Sequence, residues 1–253
     1  MDISTTKVHS FNKGMGVIDL SDNISNRKYY LYLLDISNNC YIYTNNATSS
    51  LICIEGKLTI NKVNTIKFEG YHVLPFKKLE FETLAPAKAL IGSTEEIDFS
   101  IKNLEIENKE NLIPFSDYKV IKPWGFENWY TDNLKNPNYA LKRIHMEKGF
   151  QSSLQSHEYK SETNFVVDGE ALVLYGLEAP KNLNVEVSID DLDKKIYSPF
   201  TGWSNKVNEL HRVVAHTTYD AIEISTPELD DVIRWADDSN RDSGRIDSEH
   251  KNS

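Results

Sequence analysis

Residues 149–169 read GFQSSLQSHEYKSETNFVVDG, and the reading of this stretch decides the fold. Gln155 and His157 are two positions apart, so on a strand their side chains leave the same face and converge on one point. Five positions on, Glu162 opens an apolar run, Asn164 to Val167, that Gly169 closes as a turn would. A strand, a turn and a second strand therefore bring an amide, an imidazole and a carboxylate together. His211, on a distant run, supplies a second imidazole after a second glycine, Gly202. Four such donors on short strands fit the inside of a β-barrel.

The rest of the chain has the same texture. Short apolar or alternating runs at residues 29–34, 40–43, 51–54, 139–144, 164–167, 171–175 and 221–225 are separated by Gly, Asn, Asp and Pro. That spacing predicts an all-β protein of barrel or sandwich type. Two short helices are expected besides: a turn over residues 188–195 behind a Ser cap, and one over 227–235. The mixed-charge stretch 95–111 reads as the linker between domains 1–110 and 111–253.

An internal repeat supports two tandem barrels. SLICIEGKLTI (50–60) lies on TNFVVDGEALV (163–173) with Gly56 on Gly169, and residues 70–94 lie without gaps on 202–226. The second copy carries an insertion around residues 177–197. In this register Gln155 falls on Ile42, His157 on Thr44, Glu162 on Ser49 and His211 on Leu79. The first copy thus has no ligating counterpart, and the chemistry belongs to the second.

With 253 residues, 40% hydrophobic and 26% charged, the chain has the composition of a globular protein with a core. A formal charge of −10 argues against a nucleic-acid partner, which wants a basic footprint, though not against a small anionic ligand. Cys40 and Cys53 form no CxxC pair and read as reduced thiols. No secretion signal opens the sequence and no apolar run is long enough to cross a bilayer, so a cytoplasmic protein without a membrane partner, monomer or homodimer, is expected.

Gln155, His157, Glu162 and His211 are expected to hold one divalent metal, Zn or Mn first, with Fe or Ni as further options. A neutral amide, two imidazoles and one carboxylate leave such an ion with about one net positive charge, enough to polarise a ligand oxygen. Lys142, at an inward position of its strand, and Lys160, in the turn between two ligands, are placed to meet substrate charge. Glu223, inside the hydrophobic run AIEIS, needs a partner or a task, because an unpaired buried charge is costly.

The Gly149–Gln155–His157–Glu162–Gly169 pattern with His211 resembles the two motifs of the cupin superfamily, with Gln in the place of a first His. KPWG (122–125) and the tail TPELDDVIRWADDSNR (226–241) make residues 122–241 similar to the cupin domain of type II mannose-6-phosphate isomerases. Ser239 and Asn240 depart from that family's ending. The resemblance implies two tandem cupin barrels (double-stranded β-helix, jelly-roll). The first would be degenerate and the second metal-binding, with a C-terminal tail. It also implies a phosphorylated or nucleotide-activated sugar as ligand and aldose–ketose isomerisation as the activity. An iron-dependent dioxygenase, a metal-free nucleotide-sugar epimerase and a non-catalytic sugar-binding cupin are the alternatives.

Overall fold

The computed structural model describes residues 2–3, 9–12, 14–22, 24, 26–101, 112–239, 241 and 244–246. These divide into two compact units, Ile3–Ser116 and Asp117–Ser253 with Met1–Asp2. Secondary structure in the described residues is β-strand apart from one 3-10 turn. Each unit is built of two antiparallel sheets, the arrangement of a jelly-roll barrel.

In the second unit one sheet runs, in spatial order, Lys119–Lys122, Gly125–Trp129, Ala140–Met146, Tyr219–Ser225, Glu162–Asp168 and Gly202–Asn205. The other runs Asp193–Tyr197, Ala171–Glu178, Glu209–Ala215, Leu154–Ser156, Val232–Ala236 and Gly244–Ile246. Ile144, Met146, Val166 and Ala221 of the first sheet pack with Val173 and Ala215 of the second around Trp203 and Tyr219. In the first unit Leu34, Leu51 and Ile91 of a seven-stranded sheet meet Ile42, Leu58, Leu79 and Phe81 of a four-stranded one.

The sequence repeat is also the structural one. Ser49 pairs with Val73 and Ser93, and Glu162 pairs with Asn205 and Ser225, the positions the repeat aligns. Gly56 and Gly169 both have positive φ, +77° and +69°, as the shared turn requires. A Cβ on Gly169 would lie 2.1 Å from the Thr218 carbonyl oxygen, so the turn cannot take another residue without moving the backbone. The insertion lengthens one hairpin. In the first barrel two residues link Lys57–Ile60 to Val63–Ile66, whereas in the second the link from Ala171–Glu178 to Asp193–Tyr197 contains the 3-10 turn Ile189–Asp191. Ser188 caps that turn by accepting from the Asp190 N–H, as its sequence predicts.

Two expectations need correction. No helix forms over 227–235: Val232–Ala236 is a strand paired with Leu154–Ser156. Val and Ile next to Trp favour a pleated surface, and an open strand edge outweighs a short helix of mixed charge. The division between units falls after Ser116 rather than near residue 110, because Leu112–Pro114 pairs with Gly70–Val73 of the first barrel. Within the stretch read as a linker, Ile97 and Phe99 are buried in the first core, while 102–111 lie outside the described residues.

Candidate metal centre

Strand register brings the four sequence-derived donors together. Gln155 and His211 are direct cross-strand partners, and His157 is the first residue past the strand Leu154–Ser156 that carries Gln155. Glu162 opens the strand Glu162–Asp168 on the opposing sheet. Ligand atoms of His157, Glu162 and His211 all lie within 4.8 Å of one another, and all three residues are buried. His157 Nε2 is 3.7 Å from Glu162 Oε2 and His211 Nε2 is 3.4 Å from Oε1.

The outer nitrogens set the tautomers. His157 Nδ1 hydrogen-bonds the Asp231 carbonyl oxygen, and His211 Nδ1 the Glu209 carbonyl oxygen at 3.0 Å. A carbonyl can only accept, so each Nδ1 carries the proton and each Nε2 turns its lone pair inward. His157 Nε2 is buried and has no hydrogen-bond partner among the described residues. Burial, reinforced by Lys160, pushes the His157 pKa down to about 3, so the ring is neutral and available as a donor. Gln155 Nε2 donates to His211 Nε2 at 3.2 Å, and its Oε1 accepts from Ser153 Oγ at 3.2 Å. A half-turn of that amide presents Oε1 to the site and still leaves Ser153 a partner. Two imidazole lone pairs, a carboxylate and an amide oxygen fit a divalent first-row cation.

Behind this cluster a buried chain of alternating charges crosses the barrel. Lys160 Nζ is 2.5 Å from Glu162 Oε2 and 3.0 Å from Glu223 Oε1. Lys142 Nζ is 3.3 Å from Glu223 Oε2 and 2.9 Å from Glu127 Oε1, and Lys122 Nζ is 3.7 Å from Glu127 Oε2. Lys142 and Glu223 are cross-strand partners, so the register of two strands makes the central link. Burial would lower both lysines, but the carboxylates outweigh it and raise Lys142 and Lys160 above their ordinary range. Burial would raise Glu127, yet Lys142 and Lys122 hold it down at about 2. Glu162 is likewise held well below its usual range by Lys160 and the imidazoles, against its burial. Asn205 Nδ2 donates to Glu162 Oε1 at 2.8 Å and fixes that carboxylate.

Lys142, Lys160 and Glu223 line the same cavity as the four candidate donors. Lys122 and Trp124 of KPWG line the same cavity, whose volume is about 80 Å³. Arg212 points away, to the Ala236 carbonyl and Asp238. His145 bonds Asp220 and Glu147, away from the donor cluster. In the tail, Arg241 pairs with Asp237. Three contributors escaped the sequence reading: Glu127, Asn205 and Asp231. Glu127 carried the same signal as Glu223, a carboxylate within an apolar run. Asn205 falls on Val73 in the repeat and had no signal of its own.

No protein-family model matches the sequence. No curated protein matches it either. Solved structures do match. Oxalate decarboxylase from Lactobacillus farciminis, as a formate complex, superposes with a TM-score of 0.64 at 8% identity, over 92% of this chain and 87% of that one. Procruciferin, an 11S globulin from Brassica napus, gives 0.65 at 9% identity, over 93% and 86%. The chain has a bicupin fold. A third bicupin, Bacillus subtilis oxalate decarboxylase with Mn(II) centres, gives 0.63 at 12% identity, over 92% and 79%. A decarboxylase and a globulin share this bicupin frame, so the frame fixes the architecture and leaves the activity to the site. No helix among the described residues of the bicupin is long and apolar enough to cross a membrane.

Proposed function

We propose that the second barrel binds one divalent metal through His157, Glu162, His211 and Gln155, and that the metal-loaded protein acts as an aldose–ketose isomerase on a phosphorylated sugar whose anomeric carbon is free. One observation carries the metal: the buried, partnerless Nε2 of His157 beside the inward Nε2 of His211 and the Glu162 carboxylate. Mn or Zn suits this donor set, and Mn(II) is the metal of one of the bicupins of similar fold. Bound there, the ion supplies Lewis acidity at a ligand oxygen.

The chain's own groups divide the remaining work. Lys142 and Lys160 are protonated, so they attract negative charge and cannot serve as bases. Glu223 faces both ammonium groups, and its Oε1 has no hydrogen-bond partner among the described residues, since the 3.0 Å contact with Lys160 is an ion pair outside hydrogen-bond alignment. It is the carboxylate placed to take a proton from one sugar carbon and return it to the neighbouring one. The choice of substrate rests on the resemblance of KPWG (122–125) and the 226–241 tail to the type II mannose-6-phosphate isomerase cupin domain.

A second reading is a bicupin that binds a small ligand without turning it over. The cavity of about 80 Å³ favours it, as do three lysines already neutralised by Glu127, Glu162 and Glu223. The two readings separate in deuterated water. Hexose and pentose phosphates incubated with Zn²⁺- or Mn²⁺-loaded protein give ketose formation or deuterium at C2 if the chain is an isomerase. Metal bound with neither turnover nor exchange selects the binding reading.

A further inference from the structure

Asp231, in the C-terminal segment, grips the turn beside the candidate metal site at four consecutive positions. Its backbone oxygen accepts from His157 Nδ1. Its Oδ1 accepts the Glu158 N–H at 3.1 Å, and its Oδ2 accepts the N–H groups of Tyr159 at 2.5 Å and Lys160 at 2.8 Å. We infer that Asp231 is the positioning residue of the metal centre: its carboxylate holds the 158–160 backbone, which keeps His157 against the residue's own carbonyl and Lys160 in place, without touching the metal or a substrate. The inference rests on the metal-site reading above.

The turn at 157–160 carries two working groups that must point the same way, His157 with its inward Nε2 and Lys160 with its ammonium on Glu162. No strand ladder holds it, because the strand Leu154–Ser156 ends before it and Glu162–Asp168 begins after it. Three successive backbone N–H groups would otherwise need separate acceptors, and one carboxylate satisfies all three. The same residue's carbonyl then meets the imidazole, so the turn and the ring are tied to a single point. That point is itself anchored. Asp231 immediately precedes the strand Val232–Ala236, which pairs with Leu154–Ser156, and Trp235 Nε1 donates to Ser156 Oγ at 2.9 Å. The segment that leads out of the barrel therefore returns to build its metal site.

A partner that orients a metal-bound histidine typically accounts for about 10–100-fold in metal affinity. The test uses the full chain and its Asp231→Ala and Asp231→Asn variants. Zn²⁺ affinity is measured by calorimetry, and protection of the Glu158, Tyr159 and Lys160 amides by hydrogen exchange in the metal-free proteins. Asp231→Ala keeps the backbone carbonyl that accepts from His157 Nδ1 but removes the acceptor of three backbone N–H groups. It should therefore weaken Zn²⁺ about tenfold or more and strip those amides of their protection. Asp231→Asn keeps one acceptor oxygen and should fall between Ala and the parent in both readings. Parent-like Zn²⁺ affinity and parent-like protection of the 158–160 amides in Asp231→Ala would overturn the inference, as would an Asn variant no better than Ala. Should the parent itself bind no Zn²⁺, the metal reading fails, and amide protection in the metal-free proteins still decides whether Asp231 holds the turn. If Asp231→Ala does not fold, the Asn variant alone decides: parent values overturn the role and weakened values support it.

Discussion

Gln155 stands directly opposite His211 across two antiparallel strands, and at the same register of the first barrel Ile42 stands opposite Leu79. Both pairs are set by the same duplicated frame. One pair carries donors aimed into a polar cavity, and the other is buried in an aliphatic core. The two barrels differ at this level by substitution at fixed positions, with the backbone register kept.

That equivalence predicts the result of converting one site into the other. Gln155→Ile combined with His211→Leu should abolish metal binding and leave the urea midpoint of the metal-free protein equal or higher. Replacing a buried polar pair by apolar groups of similar volume is often neutral or stabilising. Metal content and urea melts check this, and a collapse of stability would contradict the equivalence.

Metal should stabilise the protein by mass action. At a free metal concentration of 100 Kd the gain is about 2.7 kcal/mol for a site that exists only in the folded state. Scanning calorimetry should therefore show a metal-dependent rise in Tm for the parent and none for His157→Ala. An equal rise in both proteins would place the ion elsewhere.

Stability should fall toward acid in two separable steps. His157, with its folded pKa lowered to about 3, stays neutral when folded but is protonated when unfolded below its ordinary value of 6.5, so stability drops as pH falls from 6.5 toward 3. Glu127, lowered to about 2, contributes stability that is present above its ordinary value of 4.5 and lost as pH falls through 2. In urea melts of the metal-free protein, His157→Gln should flatten the upper step and Glu127→Gln the lower one. Parallel profiles for all three proteins would contradict these assignments.

The buried charge chain should be strongly coupled. Lys142→Met leaves Glu127 and Glu223 short of a partner and should cost about 3–5 kcal/mol, the usual effect of breaking a buried pair from one side. Adding Glu127→Gln should restore part of that loss. A double-mutant cycle by urea unfolding measures the coupling, and strict additivity would mean that the lysine and carboxylate act independently.

Much of this was legible in the residues. Alternation of Gln155 and His157, the glycine turns and the gapless second block of the repeat fixed the strand register, and with it the convergence of four donors. The tail was misread because residues 227–235 carry charges at helical spacing, and local pattern is silent about a free strand edge elsewhere in the barrel. Asp231 could not be picked out for a related reason. Its contacts go to backbone N–H groups 71 to 73 positions away, and backbone donors leave no mark in sequence. Glu127 was within reach: a carboxylate between Phe126 and Trp129 in a strand calls for a cation, and Lys142 lies on the neighbouring strand.

The account stands most directly on metal stoichiometry. Elemental mass spectrometry of the purified chain after loading with Mn²⁺ or Zn²⁺ and removal of the excess should give one ion per chain. His157→Ala and His211→Ala, folded by circular dichroism, should retain almost none. Two ions per chain, or an unchanged ratio in either variant, would contradict the placement of a single metal centre in the second barrel.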